Sequence, residues 1–234
     1  MGTMITFKRP DGKTLQGYLS EPEPGSATNA PGVVVLQEWW GLNDQIRGVA
    51  DRLSAAGFRA LVPDLFRGKS TVEEAEAKHL MTELNFGEAA TQDVRGAMQH
   101  LKSASAKVGC VGFCMGGALT LLAAVNDPEL DAAVTFYGFP PLEYVDASKI
   151  KIPVLGHWAT QDDFFSIENV EQLEAKLRAA GVSHEFHRYL ARHAFANEEA
   201  VGTGRIAQTQ YDPVWARQAW DRTYTFLAKH LMRS

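Results

Sequence analysis

The chain has 234 residues, of which 45% are apolar, enough to bury a sizeable core within a single globular domain spanning residues 1–234. Its formal net charge is −5, and its Lys and Arg residues are scattered along the sequence. We therefore expect a small-molecule substrate, with no nucleic-acid partner and no membrane anchor.

Strand and helix patterns alternate along the chain. In chain order the predicted elements are hairpin strands 4–8 and 14–20, a surface loop at 22–31, strand 33–37, a helix to Gly57, strand 58–63, a helical region to about 102, strand 108–112, helix 115–126, strands 132–137 and 153–158, helix 167–180, strand 184–190 and a C-terminal helix. This alternation is typical of an α/β fold with a mostly parallel central sheet and helices on both faces.

Local signals predict where the helices begin. Asn43 or Asp44 caps the first helix. The pattern Ser70-x-x-Glu73 is typical of a capping box and opens the long helical region, which we expect to break near residues 85–87. Asp212 followed by Pro213 begins the last helix.

The segment Gly112-Phe113-Cys114-Met115-Gly116-Gly117 carries the main chemical signal. It lies between a predicted strand and a predicted helix, and glycines two residues before and after Cys114 suit a strained turn where strand and helix pass close together. At a helix start, peptide dipoles favour a thiolate, the nucleophilic form of cysteine. Such glycines also flank cysteines by chance, so the turn needs partners before it indicates catalysis.

A thiol nucleophile needs a base and a group that orients the base. Asp162 and His193 follow predicted strands downstream of Cys114, in the order nucleophile, acid, histidine that α/β-hydrolases use. Taken singly, Asp162 could cap a helix and His193 could be a solvated loop residue, and Asp163 is an alternative to Asp162. The three residue types in this order, each at a strand end, together predict a catalytic triad.

Glu38 directly follows the buried strand 33–37 and precedes Trp39 and Trp40. A carboxylate against two indole rings is poorly hydrated, which raises its pKa until it can share a proton with a neighbour. Judged from these neighbours alone, Glu38 could equally be a residue at the rim of the site whose carboxylate faces water.

Other patterns are not interpreted as sites. His184 and His187 are three residues apart on a strand and face opposite sides, so we predict no metal site. The segment 202–205 lacks the strand and helix of a phosphate loop. Cys110 lies within a strand and is predicted to be a core residue. We predict no structural disulfide between Cys110 and Cys114, because a strand residue and the following turn have the wrong geometry for one.

The cysteine usage suits a reducing compartment. The first eight residues lack the apolar core of a secretory signal, and no uncharged stretch approaches the ~20 residues needed to cross a bilayer. We therefore expect a cytoplasmic protein, and a monomer is the default expectation for its oligomeric state.

Four segments resemble the dienelactone hydrolase family of α/β-hydrolases, also called carboxymethylenebutenolidases. They are Gln37-Glu38-Trp39-Trp40-Gly41, the turn 112–117, Ala159-Thr160-Gln161-Asp162 and His193-Ala194-Phe195, and the similarity extends from about Thr14 to Leu231. Cysteine at the turn together with Gln-Glu after the early strand is specific to this family within the larger fold class.

The resemblance implies roles for individual residues. Cys114 is then the nucleophile, His193 the base and Asp162 its orienting group, while Glu38 holds the thiol at rest and accepts its proton when substrate arrives. The backbone N–H groups of Trp39 and Met115 are implied as the oxyanion hole, where fixed donors stabilise a tetrahedral intermediate. Trp40 and Phe164 are expected to join Trp39 as apolar walls of the pocket.

The sequence also departs from the family. Members that open dienelactone bind its carboxylate through arginines, one of them four residues after the catalytic histidine, where this chain has Asn197. Arg192, Arg67 and Arg205 are alternative sources of a cation. We therefore expect Asn197 and Arg192 to lie in the substrate pocket, and we expect dienelactone itself to be a doubtful substrate.

These observations predict a cofactor-independent hydrolase of small esters or lactones, with a Cys-His-Asp triad and no metal. A thioesterase or acyl transferase using the same triad is the alternative enzyme, and a non-catalytic small-molecule binder is the alternative from another class. Rates on oxygen esters against thioesters separate the first pair, and the reactivity of Cys114 toward iodoacetamide separates an enzyme from a binder.

Overall fold

The described strands form a single mixed sheet in a computed structural model, which describes residues 1–23, 30–202 and 206–232. They are β1 (Thr3–Lys8), β2 (Thr14–Ser20), β3 (Gly32–Leu36), β4 (Arg59–Pro63), β5 (Val108–Phe113), β6 (Ala132–Phe136), β7 (Val154–Gln161) and β8 (His184–Arg192). Their order is β1-β2-β4-β3-β5-β6-β7-β8. The pairs β1/β2 and β2/β4 are antiparallel and the other neighbours are parallel.

Helices connect the parallel strands. They are α1 (Asp44–Ala55), α2 (Glu74–Glu83), α3 (Phe86–Glu88), α4 (Arg95–Lys102), α5 (Met115–Asn126), α6 (Ile167–Ala179) and α7 (Pro213–Leu227). A π-helical segment, Ala89–Val94, joins α3 to α4, and a second, Ala228–Met232, follows α7. The turns Leu142–Tyr144 and Ala147–Lys149 are 3-10 helices.

Alternate residues of the buried strands pack on opposite faces of the sheet. Val34 and Leu36 of β3 contact the apolar cluster that contains α4, α5 and α6. Val33 and Val35 contact the cluster that contains α1 and α7. All four are fully buried, and burying each such side chain stabilises the fold by about 1.5–3 kcal/mol. The predicted α/β class, with helices on both faces of a mostly parallel sheet, is confirmed.

The parallel strands bring distant residues to one edge of the sheet. Because β3, β5, β6, β7 and β8 run in the same direction, the residues that follow them gather at their carboxyl ends. Those positions hold Glu38, Cys114, Tyr137, Asp162 and His193. The topology therefore places these side chains together before any contact between them is considered.

Most predicted helix ends agree with the structure. Asn43, not Asp44, is the cap of α1, and its side chain accepts a hydrogen bond from the N–H of Ile46. The break near residues 85–87 is confirmed, because Asn85 caps α3 by accepting from the N–H of Glu88. Asp212 caps α7 and Pro213 occupies its first turn, as predicted.

The predicted capping box at residues 70–73 is wrong. Helix α2 begins at Glu74, and its cap residue Glu73 makes no side-chain capping hydrogen bond. The backbone of Ser70 instead pairs with Gly41 in an isolated β-bridge, which ties it to the segment after β3 and keeps it out of the helix. The capping box was predicted from residue types alone, which carry no information on this long-range pairing.

Strands β7 and β8 are longer than predicted, because Gln161 and Arg192 pair beyond the apolar runs. Part of the predicted loop 22–31 lies outside the described residues, as do residues 203–205. Within the described ranges, no helix has the length and apolar character required to span a membrane.

His157 in β7 supplies a pH-dependent contribution to stability. Its Nδ1 lies 2.8 Å from the Tyr189 hydroxyl and its Nε2 lies 3.0 Å from the Thr223 hydroxyl. Burial lowers the pKa of His157 well below its usual value of 6.5. Below pH 6.5 His157 becomes protonated in the unfolded chain but stays neutral in the folded protein. This residue should therefore reduce the free energy of unfolding by about 1.4 kcal/mol for each unit by which the pH falls.

Urea unfolding between about pH 7.5 and 5.5 measures this slope. The variant His157→Gln should show a flatter slope than the wild type, because its side chain does not titrate. Equal slopes in the two proteins would contradict a lowered pKa of His157 in the folded protein.

Candidate active site

Cys114 occupies a strained turn between β5 and α5. Its φ angle is 52°, in the left-handed region that non-glycine residues rarely adopt. A Cβ added at Gly112 would lie 2.0 Å from the carbonyl oxygen of Gly116, and one added at Gly116 would lie 2.3 Å from that of Leu36. The glycines thus permit the close approach that the sequence predicted, and the turn holds the sulfur partly exposed at the helix start.

Asp162 and His193 meet at the sheet edge. The Nδ1 atom of His193 lies 2.8 Å from Oδ2 of Asp162, and both side chains are almost fully buried. The other carboxylate oxygen, Oδ1, accepts hydrogen bonds from the backbone N–H groups of Phe164 at 2.8 Å and Phe165 at 3.0 Å. Asp162 is therefore fixed in orientation, whereas Asp163 is exposed.

His193 also interacts electrostatically with the Cys114 thiol, and both residues line the same cavity. Burial by itself lowers the pKa of His193, but the negative charge at Cys114 and the hydrogen bonds to Asp162 and Cys114 outweigh it and raise that pKa to about 10. An imidazole with these partners is stable as a cation near neutral pH. The arrangement suits a thiolate–imidazolium pair.

Aromatic rings enclose the imidazole of His193. The rings of Tyr137 and Phe164 meet it edge-on, with centroids at 5.0 and 4.9 Å, and the ring of Phe165 stacks on it at 5.7 Å. These contacts restrict rotation of His193 and exclude water from much of its surface.

Glu38 is buried, with a carboxylate held by two donors. Its Oε1 accepts from the Tyr137 hydroxyl at 3.1 Å, and its Oε2 accepts from Nδ2 of Asn197 at 2.7 Å. Burial raises the pKa of Glu38, and the charge of His193 and these hydrogen bonds partly oppose the rise. The interpretation of Glu38 as a rim residue facing water is therefore wrong.

The implied hydrogen bond between Glu38 and the thiol is absent from the described structure. The described hydrogen bonds to the carboxylate oxygens of Glu38 come from Tyr137 and Asn197. The family resemblance thus identified a buried carboxylate at the site but not its hydrogen-bond partners.

The two backbone N–H groups implied as an oxyanion hole belong to Met115 and Trp39. Met115 is the first residue of α5, where N–H groups have no partner within the helix. Within the described residues, neither amide donates to another backbone or side-chain acceptor.

A cavity of about 740 Å³ opens above these groups. Trp39, Trp40, Phe164 and Asn197 line it, as do Glu38, Cys114, Met115 and His193. The described residues contain no cluster of His, Cys, Asp and Glu suited to a metal ion.

The predicted cations lie elsewhere. Arg192 does not line the cavity, because its exposed guanidinium donates to the carbonyl of Ala207 at 3.0 Å. Arg67 binds both carboxylate oxygens of Asp93, a buried residue of the π-helical segment after α3. Arg205 lies outside the described residues.

Several residues at or next to the site were not predicted from the sequence. Tyr137, which binds Glu38, was assigned to the end of a strand, yet its φ of 38° and its place after β6 put it at the same edge as Cys114. The strand-end rule that located Asp162 and His193 would have located it. Met81, Phe86, Leu122 and Phe139 line the cavity itself, and their apolar patterns are those of ordinary core residues.

The two adjacent aspartates allow a matched test of the site. We expect Asp162→Asn to lower kcat/KM for ester hydrolysis by about 10²-fold or more, because the amide cannot accept from both His193 and the backbone of Phe164 and Phe165. Asp163→Asn should stay within about twofold of the wild type, since Asp163 is exposed. Equal losses in both variants would contradict the assignment of Asp162.

Comparison with known proteins identifies the family. The model of the family described as "Dienelactone hydrolase family" matches residues 15–231. "Protein usf" of Aquifex pyrophilus is 34% identical over 99% of this chain and 100% of its own length. A protein of Aquifex aeolicus named "Putative carboxymethylenebutenolidase" is 31% identical with the same coverage.

A solved structure supports the same grouping. A dienelactone hydrolase-like promiscuous phosphotriesterase from metagenomic libraries is 26% identical over 98% of each chain, with a TM-score of 0.86. Thermogutta terrifontis esterase 2, at 17% identity and a TM-score of 0.68, shares the fold. The chain belongs to the dienelactone hydrolase family of α/β-hydrolases, enzymes that act on ester and lactone bonds.

Proposed function

We propose that this protein hydrolyses carboxylic esters or lactones without a cofactor, using Cys114 as nucleophile, His193 as acid and base, and Asp162 as the group that orients His193. The observation that carries the proposal is the 2.8 Å hydrogen bond between His193 and the Asp162 carboxylate, at a cavity that His193 and Cys114 line together. A buried histidine between a carboxylate and a thiol at a strained turn has the geometry of an activated nucleophile.

The first half of the reaction forms an acyl-enzyme. The Cys114 thiolate attacks the carbonyl carbon, and the oxygen that becomes negative accepts hydrogen bonds from the amides of Met115 and Trp39. When the tetrahedral intermediate collapses, the imidazolium of His193 gives its proton to the leaving alcohol. The products of this step are a thioester on Cys114 and a neutral imidazole.

The second half restores the enzyme. Neutral His193 takes a proton from water, the resulting hydroxide attacks the thioester, and the same two amides stabilise the oxyanion. Collapse expels the Cys114 thiolate and releases the acid, leaving His193 protonated. Asp162 accepts from Nδ1 throughout and keeps the imidazole aligned with the sulfur.

Glu38 acts through charge in this proposal. Its carboxylate interacts electrostatically with His193, and so favours the imidazolium that the first step consumes and the second restores. Its two oxygens accept hydrogen bonds from Tyr137 and Asn197. We therefore propose that Glu38 positions charge at the site without accepting the thiol proton.

Alkylation by iodoacetamide tests the proposal directly. One equivalent near neutral pH should abolish hydrolysis of p-nitrophenyl acetate, with mass spectrometry locating the label on Cys114. Cys110 should remain unlabelled, because it is fully buried and burial raises its pKa to about 12. Full activity after complete labelling of Cys114 would refute the proposal.

Neutral phosphate triesters are a second candidate substrate class. The support is the similarity to a promiscuous phosphotriesterase, together with a cavity that no described Lys or Arg lines. A tetrahedral phosphoryl group fits the geometry that the Met115 and Trp39 amides provide for a tetrahedral intermediate. Turnover of an aryl dialkyl phosphate that requires Cys114 would support this class.

A further inference from the structure

The cavity beside Cys114 is elongated along α5. Met115, Ala118 and Leu122 line it from one face of this helix, and at 1.5 Å per residue they span about 10 Å of the helix axis. Its volume of about 740 Å³ falls in the range of pockets that enclose drug-sized ligands. A small lactone bound at the sulfur would leave the region near Leu122 unfilled.

The walls of this region are apolar. Beyond the catalytic groups, the lining includes Met81, Phe86, Leu122, Phe139, Pro140 and Phe165. Alkyl and aryl surface leaves water favourably when it packs against such side chains. The lining therefore favours a ligand with a long apolar part over a small polar one.

The charges at the cavity disfavour an anionic ligand. No Lys or Arg within the described residues lines it, and the charge of His193 is already opposed by Asp162 and Cys114. Glu38 adds a further acidic group at the same cavity. A carboxylate on the ligand would lose its water and gain no compensating cation.

Asn197 cannot take the place of an arginine. Its Nδ2 donates to Glu38 at 2.7 Å, and its Oδ1 accepts from the backbone N–H of Glu199 at 2.9 Å. The amide is thereby held with its donor group on the enzyme's own carboxylate. A ligand carboxylate would have to compete with Glu38 for it.

We propose that this site takes uncharged esters whose acyl or alcohol part is an extended apolar chain lying along α5 toward Leu122. The proposal rests on the hydrolase function proposed above and names the substrate class of that site. It separates this chain from relatives whose ligands carry a free carboxylate.

A pair of esters with equal length tests the charge requirement. p-Nitrophenyl hexanoate and the mono-p-nitrophenyl ester of adipic acid differ only in a terminal methyl or carboxylate. We expect kcat/KM for the hexanoate to exceed that for the adipate by about 10²-fold or more. Comparable values, or a faster adipate ester, would overturn the proposal.

The variant Arg205→Ala identifies the reason if the adipate ester is fast. Arg205 lies outside the described residues, and loss of adipate turnover in this variant would show that it supplies a cation to the site. Unchanged selectivity for the hexanoate in Arg205→Ala is the result that the proposal expects.

Chain-length series test the apolar channel. From p-nitrophenyl acetate to octanoate, or from ethyl to octyl acetate, kcat/KM should rise in at least one series. In that series Leu122→Trp should lower the ratio of kcat/KM for the longest ester to that for the shortest by about tenfold or more. No rise in either series, or a rise that Leu122→Trp leaves intact, would overturn the proposal.

Leu122→Ala covers the case in which the tryptophan variant does not fold. It removes apolar contact at the same position and should reduce the long-to-short ratio without blocking the channel. Different results would contradict the proposed hydrolase function and the proposed substrate class. Activity that survives in Cys114→Ala removes the function itself, whereas Cys114-dependent activity with no preference for neutral, long esters removes only the substrate class.

Discussion

Replacing Cys114 by alanine is expected to lower kcat/KM for p-nitrophenyl acetate by at least about 10³-fold, because no other group at the site can form the covalent acyl intermediate. Alanine keeps the Cβ atom at a backbone position whose φ is 52°, so the strain of the turn is unchanged and the fold should persist. Circular dichroism and thermal unfolding check that expectation. Cys114→Ser should also be weak, since a hydroxyl does not form the ion pair with His193 that a thiol forms.

Cys110→Ala is the matched control for this experiment. Cys110 lies in β5, only four residues from Cys114, but it is fully buried and contacts the Thr120 hydroxyl away from the cavity. We expect its replacement to leave kcat/KM within about twofold. Activity that depends on Cys110, or that survives in Cys114→Ala, would assign the nucleophile elsewhere.

The fold and the positions of the candidate site residues at one sheet edge were predictable because each depends on a local pattern. Buried parallel strands appear in the sequence as continuous apolar runs such as 33–37. The residue after such a run lies at the edge where the strands end together, and this rule located Glu38, Cys114, Asp162 and His193. Strand extension through pairing did not alter the rule, since β7 and β8 still end directly before Asp162 and His193.

The contacts of Glu38 were not predictable in the same way. They depend on Tyr137 and Asn197, which lie 99 and 159 residues away in the chain. A pattern of residue types does not specify which of several donors will reach a buried carboxylate. The same limitation explains the misassigned Ser70, whose backbone pairs with Gly41.

The places of the arginines also depend on tertiary structure. Arg67 was a candidate cation for the pocket, but its guanidinium binds Asp93, which is almost completely buried and also binds Arg9. A buried carboxylate requires cationic partners, and breaking such a group of charges costs several kcal/mol. Arg67 therefore belongs to this structural cluster of charges. The sequence around Arg67 did not indicate its pairing with Asp93.

His193→Gln is expected to lower kcat/KM by about 10³-fold, because glutamine can neither donate a proton to the leaving alcohol nor take one from water. The variant should also slow alkylation of Cys114 near neutral pH. In the wild type the raised pKa of His193, about 10, keeps the imidazole protonated beside the sulfur across neutral pH. Without that cation, alkylation should become fast only in alkaline solution.

The sign of the pH dependence follows from the same shift. The ordinary pKa of histidine is 6.5 and that of His193 is about 10, so its ion pair stabilises the folded state fully below pH 6.5 and progressively less as the pH rises toward 10. For the alkylation experiment, His184→Gln is the control variant, since His184 begins the strand that ends directly before His193 and contacts the carbonyl of Val182. Alkylation profiles that coincide for the wild type and His193→Gln would mean that the imidazole does not activate the thiol.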